Sequence, residues 1–244
     1  MIKRFFDFIL SFLSFLFLIP ILLPVCIMVF LQDYKSPFYI APRVGLNEKI
    51  FNMIKLRSMI INADKSGVDS TSSDDSRITP IGKFIRKFKL DELTQIINVF
   101  FGQMSFVGPR PNVKRETDLY TNVEKKLLLV RPGITDFSSI IFSDEGDILK
   151  SKQDPDLSYN QLIRPWKSRL GIFYIDNKSF FLDIKLIYIT ALSIISRKNA
   201  LIQISKILKQ LNADPKFIDV ALRNNDLIPT PPPGSNKIVS NRNI

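Results

Sequence analysis

The chain begins with a long apolar segment. Residues Phe8 to Leu31 carry no charge and read FILSFLSFLFLIPILLPVCIMVFL, which exceeds the roughly 20 residues that a spanning helix needs. A signal peptide is the main alternative, but this segment is longer than the roughly 7–15 apolar residues of a signal peptide, and no small-x-small cleavage motif follows it. The pattern therefore predicts a membrane segment.

Two features predict that this segment enters the bilayer and turns back. Pro20 and Pro24 each remove a backbone donor and clash with the preceding turn, which kinks or breaks a helix. Both ends are flanked by basic residues, which favour the cytoplasmic side. These residues are Lys3, Arg4, Lys35, Arg43 and Lys49. The alternative is a kinked helix that spans the bilayer, because membranes tolerate proline.

Apolar stretches and turn residues then alternate along the chain. Pro37 to Met59 predicts short strands, or a strand and a loop, at the start of a globular domain. Asn62 to Ser76 is rich in Ser and Asp, which predicts a surface loop. From Gly82 to Phe101, apolar residues recur every three or four positions, which predicts one amphipathic helix, or two joined near Lys89. Glu116 to Val130 predicts a further helix, separated from the first by a proline-rich loop.

The C-terminal pattern leaves two alternatives open. Ser179 to Leu211 is amphipathic with an uncharged centre too short to span a bilayer, so it predicts a helix in the membrane interface or one buried against the domain. After Leu227 the chain is polar and rich in proline, which predicts a disordered tail. We expect a membrane anchor at 1–34, a catalytic domain at 35–200 and an extension at 201–244.

Composition limits the available chemistry. Lys and Arg number 34 against 23 Asp and Glu, a net charge of +11, so we expect anionic partners such as lipid headgroups, nucleotide phosphates or nucleic acid. A single cysteine, Cys26, excludes an internal disulfide and predicts a reducing compartment. The absence of histidine leaves carboxylates, Lys, Tyr and hydroxyls for catalysis. Oxygen ligands of this kind suit Mg²⁺ rather than zinc.

Asp91 and Glu92 are the first candidates for catalysis. They stand beside a basic cluster that consists of Lys83, Arg86, Lys87 and Lys89. Adjacent residues on a helix point in different directions, so the two acids cannot face one another and two different roles are expected. The alternative is that they are ordinary acids at a helix start, where the helix dipole favours them.

Arg110 is the second candidate, because Pro109 and Pro111 flank it. The two prolines restrict the backbone and hold one guanidinium in a narrow range of orientations. The donor fork of a guanidinium binds phosphate oxygens bidentately. The alternative is a plain proline turn with a solvated arginine.

Taken together, these segments resemble the bacterial sugar transferase family, the monotopic phosphoglycosyl transferases. The resemblance runs from Lys3 to about Ala200 and follows the family's order. It rests on KRFFDFIL, RVGLNEKIF, KLRSM, GKFIRKFKLDELTQIINVFFGQMSFVGPRP, VRPGIT and SFFLDIKLIYIT. The block from KLDELTQ to SFVGPRP is the most specific part, and it favours functional roles for Asp91, Glu92 and Arg110.

The resemblance implies a fold and a location. The fold is α+β and mostly helical, with a re-entrant membrane helix hairpin bent at Pro20, a small cytoplasmic globular domain and interfacial amphipathic helices. The location is the bacterial inner membrane, with the catalytic domain on the cytoplasmic face. The interfacial helices are compatible with a homodimer.

The resemblance also implies a reaction. A sugar phosphate passes from a UDP-sugar to polyprenyl (undecaprenyl) phosphate, which initiates the synthesis of a surface polysaccharide or glycoconjugate. Asp91 matches the nucleophile that releases UMP and forms a phosphosugar-aspartyl intermediate. Glu92, beside Asp91, matches the carboxylate associated with Mg²⁺, and the Pro109–Arg110–Pro111 loop matches a segment at the nucleotide site. Arg86, Lys87 and Arg131 are candidates for phosphate contacts or for surface charges that attract the membrane.

The chain departs from the family pattern at three places. Ile19 precedes Pro20 where many members have serine, and Gln103 stands where an acid is frequent. After RPGIT the chain reads DFSSIIFSDEGDIL, so we expect a different sugar pocket. Two other classes of function remain as alternatives. A glycosyltransferase that forms a glycosidic bond would release UDP, and a non-catalytic protein would bind membrane surfaces or nucleic acid through its positive charge. The basic residues flank a membrane segment, so we expect membrane lipids as partners and no nucleic acid.

Overall fold

The structure is a computed structural model that describes residues 2–67 and 70–241. The described chain is mostly helical with two small sheets, which confirms the predicted fold class. The strands are β1 (Phe38–Val44), β2 (Ile50–Leu56), β3 (Ser105–Val107) and β4 (Gly133–Thr135). The helices are α1 (Ile2–Asp33), α2 (Pro80–Lys87), α3 (Leu90–Leu93), α4 (Ile96–Phe100), α5 (Lys114–Thr117), α6 (Phe137–Ile141), α7 (Glu145–Ile148), α8 (Pro155–Ser158), α9 (Arg164–Asn177), α10 (Phe180–Ile195), α11 (Arg197–Gln210) and α12 (Pro215–Leu222). Short 3-10 helices cover Leu46–Glu48, Ala63–Ser66 and Glu124–Leu129, and a π-helix covers Tyr159–Ile163.

Within the described residues, α1 is the one helix long and apolar enough to cross a membrane. It continues through Pro20 and Pro24 as a single 32-residue helix. The structure therefore differs from the expected break into two helices. A proline removes one backbone donor, and a helix can continue past it when the neighbouring backbone groups find partners.

The N-terminal end of α1 is held against the globular domain by polar contacts. Lys3 donates to the carbonyl of Val107 at 3.0 Å and forms an ion pair with Asp183 of α10. Arg4 donates to two carbonyls of α4 at 2.5 and 2.6 Å. Asp7 accepts a hydrogen bond from a backbone amide of β3 at 3.2 Å. These contacts fix the start of α1 beside β3 and α10.

The C-terminal end of α1 contacts the same domain at a second place. Val25 and Val29 are buried against β2 and α2, and Asp33 forms an ion pair with Arg57 at 2.6 Å. The large apolar side chains between the two contact regions are exposed, namely Phe12, Leu13, Phe15, Leu16, Phe17, Ile19 and Ile21. The helix is therefore held at both ends by one domain and presents an apolar middle.

The predicted strands between Pro37 and Met59 are confirmed as an antiparallel hairpin. Strands β1 and β2 pair from Phe38 with Leu56 to Val44 with Ile50. Ala41 and Met53 are partners on the buried face of the hairpin. Since side chains alternate between the two faces of a strand, Arg43 and Lys55 share this inward direction.

The region predicted as one or two helices between Gly82 and Phe101 forms three short helices. The predicted break near Lys89 is confirmed, because this residue has a left-handed φ of 53° between α2 and α3. A second break separates α3 from α4, where the Thr94 hydroxyl donates to the carbonyl of Ile54 at 3.0 Å. Contacts with β2 therefore interrupt a sequence whose periodicity alone would continue the helix.

The predicted helix from Glu116 to Val130 is wrong. Helix α5 ends at Thr117, and a 3-10 helix begins at Glu124. The Glu124 carboxylate is fully buried, forms an ion pair with Arg164 at 2.8 Å and accepts a hydrogen bond from Ser168 at 2.7 Å. A buried charge needs such partners. The backbone at Glu124 therefore adopts the position that brings its carboxylate to Arg164 and Ser168, and the regular surface helix does not form.

The parallel pair of β3 and β4 joins two motifs that are distant in the sequence. The Gly108 amide donates to the carbonyl of Thr135, and the Gly133 amide donates to that of Pro109, both at 2.9 Å. A Cβ atom on Gly133 would lie 2.1 Å from the Gly108 nitrogen. Glycine is required here because the backbones approach closely, and the approach places the GPRP loop beside RPGIT.

The amphipathic stretch from Ser179 to Leu211 divides at Ser196 into α10 and α11. Helix α10 buries Leu186 but leaves Phe181 and Tyr188 78% and 66% exposed. Helix α11 packs in the main core, together with α12. Burial against the domain therefore describes α11, whereas α10 has one packed face and one exposed apolar face that suits an interface.

The tail after Leu227, expected to be disordered, instead lies against the domain over residues 228–241. The Thr230 amide donates to the carbonyl of Gln161 at 3.0 Å, and Gln161 Nε2 donates to that of Val239 at 2.7 Å. Arg169 donates to another tail carbonyl at 2.8 Å. Prolines reduce the conformational entropy of the unfolded chain. Ordering this proline-rich tail therefore loses less entropy, and a few hydrogen bonds are enough to hold it against the domain.

Candidate active site

A cavity of about 780 Å³ brings together most of the site residues predicted from the sequence. Its lining includes Asp91 and Glu92 of α3, Arg86 and Lys87 of α2, and the loop 109–111 after β3. The left-handed turn before α3 redirects the chain, so the two acids point into a space surrounded by the basic cluster. The cavity can therefore bind an anionic ligand beside two carboxylates.

Arg131 does not join this group. Its side chain is exposed, and its Nε donates to the carbonyl of Gly102 at 2.9 Å. It does not line the cavity. This position favours the alternative that Arg131 is a surface charge.

Glu92 and Arg110 form a bidentate ion pair. Two guanidinium nitrogens donate to the two carboxylate oxygens at 2.6 and 3.0 Å, and one of them also donates to the carbonyl of Ile134 at 3.0 Å. Burial would raise the pKa of Glu92, but the charges of Arg110 and Lys55 outweigh it and lower the pKa to about 2. Glu92 is therefore ionised and fixed, and the predicted phosphate fork of Arg110 is directed at this carboxylate.

Asp91 has a different environment from its neighbour. Its Oδ2 lies 3.9 Å from Lys55 Nζ, at the distance of an ion pair rather than a hydrogen bond. Burial raises the pKa of Asp91 and the charge of Glu92 raises it further, whereas Lys55, Arg86 and Arg110 oppose this shift. The two adjacent acids are therefore different in character, as the sequence predicts.

Lys55 was not singled out from the sequence. It stands in the KLRSM segment on β2, and strand alternation after Met53 is the signal that places it on the inward face. Burial lowers the pKa of Lys55, although the charges of Asp91 and Glu92 oppose this. Arg86 is held by a hydrogen bond from its Nε to the Ser58 hydroxyl at 3.0 Å. These cations give the Asp91 end of the cavity its positive charge.

The segment that departs from the family pattern, Asp136 to Leu149, also contributes to the lining of the same cavity. Asp136 caps α6 and accepts hydrogen bonds from the Ser138 and Ser139 hydroxyls and from the Ser139 amide. Burial raises the pKa of Asp136, and the two serines oppose this. Glu145 forms an ion pair with Lys167 nearby. Polar groups of this kind suit the hydroxyls of a sugar.

The oxygen donors of the cavity fit Mg²⁺ when a substrate phosphate completes the ligand set. The part of the chain that the structure describes contains no group of three or more Cys, Asp and Glu side chains close enough to hold a metal by themselves. Asp91 and Glu92 supply two carboxylates at the cavity. Mg²⁺ is commonly bound by one or two carboxylates together with substrate phosphates, so these residues fit an ion shared with a phosphorylated substrate.

Comparison with known proteins decides the family. The profile described as "Bacterial sugar transferase" matches residues 1–197. The chain belongs to this family. The match ends at the start of α11, so α11, α12 and the ordered tail lie beyond the part that the family shares.

Named relatives of the family have similar sequences. A "UDP-glucose:undecaprenyl-phosphate glucose-1-phosphate transferase" of Klebsiella pneumoniae is 34% identical over 81% of this chain and 41% of its own length. An "Undecaprenyl-phosphate glucose phosphotransferase" of Komagataeibacter xylinus is 35% identical over 81% of this chain and 36% of its own length. A "UDP-N-acetylgalactosamine-undecaprenyl-phosphate N-acetylgalactosaminephosphotransferase" of Aeromonas hydrophila is 28% identical over 80% of this chain and 44% of its own length. The chain thus spans about two fifths of the length of these relatives.

Proposed function

We propose that this chain transfers a sugar phosphate from a UDP-sugar to undecaprenyl phosphate and releases UMP. The observation that carries this proposal is the division of roles between two adjacent acids. Arg110 holds Glu92 in a bidentate pair, whereas Asp91 lies 3.9 Å from Lys55 in the cation-rich cavity. The names of the relatives, which act on undecaprenyl phosphate, support the choice of substrates.

In the proposed first step, an Asp91 oxygen attacks the phosphorus that bears the sugar. The bond between that phosphorus and the oxygen bridging to UMP breaks, UMP leaves, and a phosphosugar-aspartyl intermediate remains. In the second step, an oxygen of undecaprenyl phosphate attacks the same phosphorus and releases the Asp91 carboxylate. A carboxylate is a competent covalent nucleophile of this kind. Lys55 and Arg86 stabilise the negative charge on the phosphate oxygens.

Asp91 and Glu92 are the residues that would hold Mg²⁺, which when bound supplies charge neutralisation to the phosphate oxygens. Arg110 fixes the Glu92 carboxylate through two hydrogen bonds. Because the pKa of Glu92 is about 2, this carboxylate stays ionised at any physiological pH. The pair therefore keeps an ionised, oriented oxygen donor beside the nucleophile.

We further propose that α1 enters the cytoplasmic membrane with both of its ends on the cytoplasmic face, so that this continuous helix bends at its internal prolines Pro20 and Pro24. Two observations support this: both ends of α1 contact one domain, and the exposed apolar residues lie between them. We expect single cysteines at Ile2 and Lys35, in a chain with Cys26 replaced by Ser, to react with a membrane-impermeant maleimide only from the cytoplasmic side. Reaction at position 2 from the outside would instead indicate a spanning helix.

The proposed reaction is tested by the nucleotide that is released. The protein in nanodiscs is incubated with Mg²⁺, undecaprenyl phosphate and, in turn, UDP-glucose, UDP-galactose and UDP-N-acetylgalactosamine. We expect UMP from at least one donor together with a lipid diphosphate sugar. Release of UDP in place of UMP would assign the chain to enzymes that form a glycosidic bond, and nucleic-acid binding without turnover would favour the non-catalytic alternative.

A further inference from the structure

A second cavity, of about 690 Å³, meets the first at Asp91. The residues that line both cavities are Arg43, Lys55, Thr71, Arg86, Asp91 and Val113. Asp91 therefore borders two spaces, and the wall that they share contains three cations, Arg43, Lys55 and Arg86. The reaction proposed above needs two phosphorylated substrates that use one carboxylate in turn.

The second cavity has a more apolar lining than the first. Phe38 and Ile40 of β1 line it, together with Ile60 and Ile61 of the loop after β2. These four side chains are 40%, 59%, 52% and 45% exposed. Some apolar side chains along this cavity remain exposed to water. An apolar ligand that covers them binds favourably, because it removes apolar surface from water. The nucleotide and the sugar of the donor are polar and do not match this lining.

The second cavity also reaches the end of the membrane helix. Ser36, three residues after α1, belongs to its lining. Arg57 links this point to α1, because it donates to the Ser36 carbonyl at 2.8 Å and to both Asp33 oxygens at 2.6 Å. A ligand in this cavity therefore has its apolar part beside the place where the chain leaves the membrane.

We propose that the second cavity binds the lipid acceptor, with its phosphate at Arg43, Lys55 and Arg86 and its first isoprene units along Ile60 and Ile61. This inference rests on the proposed function and adds the place and chemical class of the second substrate's site. Basic side chains at one end and apolar side chains at the other match a prenyl phosphate, which has a dianionic head and a hydrocarbon chain.

The chemistry of the second step agrees with the shared wall. An in-line displacement requires the acceptor oxygen to approach opposite the bond that breaks. The acceptor must therefore occupy the position that the UMP phosphate has left. A phosphate at Arg43, Lys55 and Arg86 reaches this position from the second cavity once UMP has departed through the first, and the product retains the acceptor oxygen as the new diphosphate bridge.

Substitution of Ile61 by Asp tests this inference, and Ile238→Asp is its matched control. Both isoleucines are 45% exposed, but Ile238 lines neither cavity. A negative charge at position 61 repels the lipid phosphate and removes apolar contact. We expect Ile61→Asp and Ile60→Asp to raise the KM for undecaprenyl phosphate by about 10-fold or more. The burst of UMP formed from UDP-sugar alone should stay within about 2-fold of the wild type in all variants.

The burst separates this inference from the proposed function. Absence of a UMP burst in the wild-type protein would overturn the proposed reaction itself. With a normal burst, an unchanged acceptor KM in Ile61→Asp would overturn only the acceptor site. A raised KM for the UDP-sugar in this variant would assign the second cavity to the donor. A variant that no longer enters nanodiscs is assayed with geranyl phosphate in detergent, where a raised KM supports the acceptor site and an unchanged KM contradicts it.

Discussion

Replacing Asp91 by Asn is expected to reduce UMP release by about 10³-fold or more, because the amide cannot form the covalent phosphosugar intermediate. The same change should leave thermal stability equal or raise it. Burial raises the pKa of Asp91, which means that its ionised form costs folding free energy above that pKa, and a neutral amide of similar size removes this cost. Activity is measured as UMP release, and stability as the midpoint of thermal unfolding.

The matched control is Asp226→Asn, because Asp226 is exposed and lines neither cavity. It should behave as the wild type in both measurements. Radiolabel from the sugar phosphate should remain on wild-type protein after denaturation and be absent from Asp91→Asn. Full activity in Asp91→Asn would exclude a nucleophilic role. Loss of activity together with a markedly lower unfolding midpoint would instead indicate a structural role for the carboxylate.

The opposite characters of the two acids could be predicted in part from the sequence. Their adjacency requires different roles for Asp91 and Glu92, and the sequence predicts the basic cluster of Lys83, Arg86, Lys87 and Lys89 beside them. The partner of Arg110 was not, because a guanidinium between two prolines suits a substrate phosphate as well as a carboxylate. The choice depends on the parallel pairing of β3 and β4, which brings the GPRP loop close to α3. Pairing between distant short strands leaves little periodic signal in the sequence.

The differences between the expected and observed elements have a common cause. The region around Thr94 reads as continuous helix, but its hydroxyl binds the carbonyl of Ile54 and interrupts it. The tail reads as disordered, but side chains of Gln161 and Arg169 bind its carbonyls. Local propensity is a weak signal when tertiary hydrogen bonds compete with it. The β1–β2 hairpin was predictable because its apolar alternation and its burial agree.

Lys55 illustrates how tertiary structure changes the meaning of a charged residue. A lysine in an amphipathic strand is normally expected on the solvent side. The pairing of Ala41 with Met53 sets the inward face of the hairpin, and Lys55 follows Met53 by two positions. Burial lowers the pKa of this lysine, so its ionised form depends on the carboxylates Asp91 and Glu92. A half-buried cation beside a half-buried carboxylate is typical of a site that binds phosphate rather than of a packing core.

Replacing Lys55 by Met should therefore decrease kcat/KM for the UDP-sugar by about 10²–10³-fold, because it removes a preorganised cation from the phosphate position. It should also move the acid limb of the pH profile to higher pH. Burial raises the pKa of Asp91, and the Lys55 charge is the largest influence that opposes this. Without that charge the carboxylate stays protonated to higher pH, and a protonated nucleophile is inactive. The UMP burst rate is measured across pH.

Two further variants make this result specific. Lys206→Met removes the same charge from an exposed position on α11 outside both cavities, so its rate and pH profile should match the wild type. Lys55→Arg keeps a cation beside Asp91 and should restore the acid limb more completely than it restores the rate, since a guanidinium places its donors differently. A lowered rate with an unmoved acid limb in Lys55→Met would mean that Lys55 acts on the substrate phosphate alone. The raised pKa of Asp91 would then have to be set by burial and by Glu92.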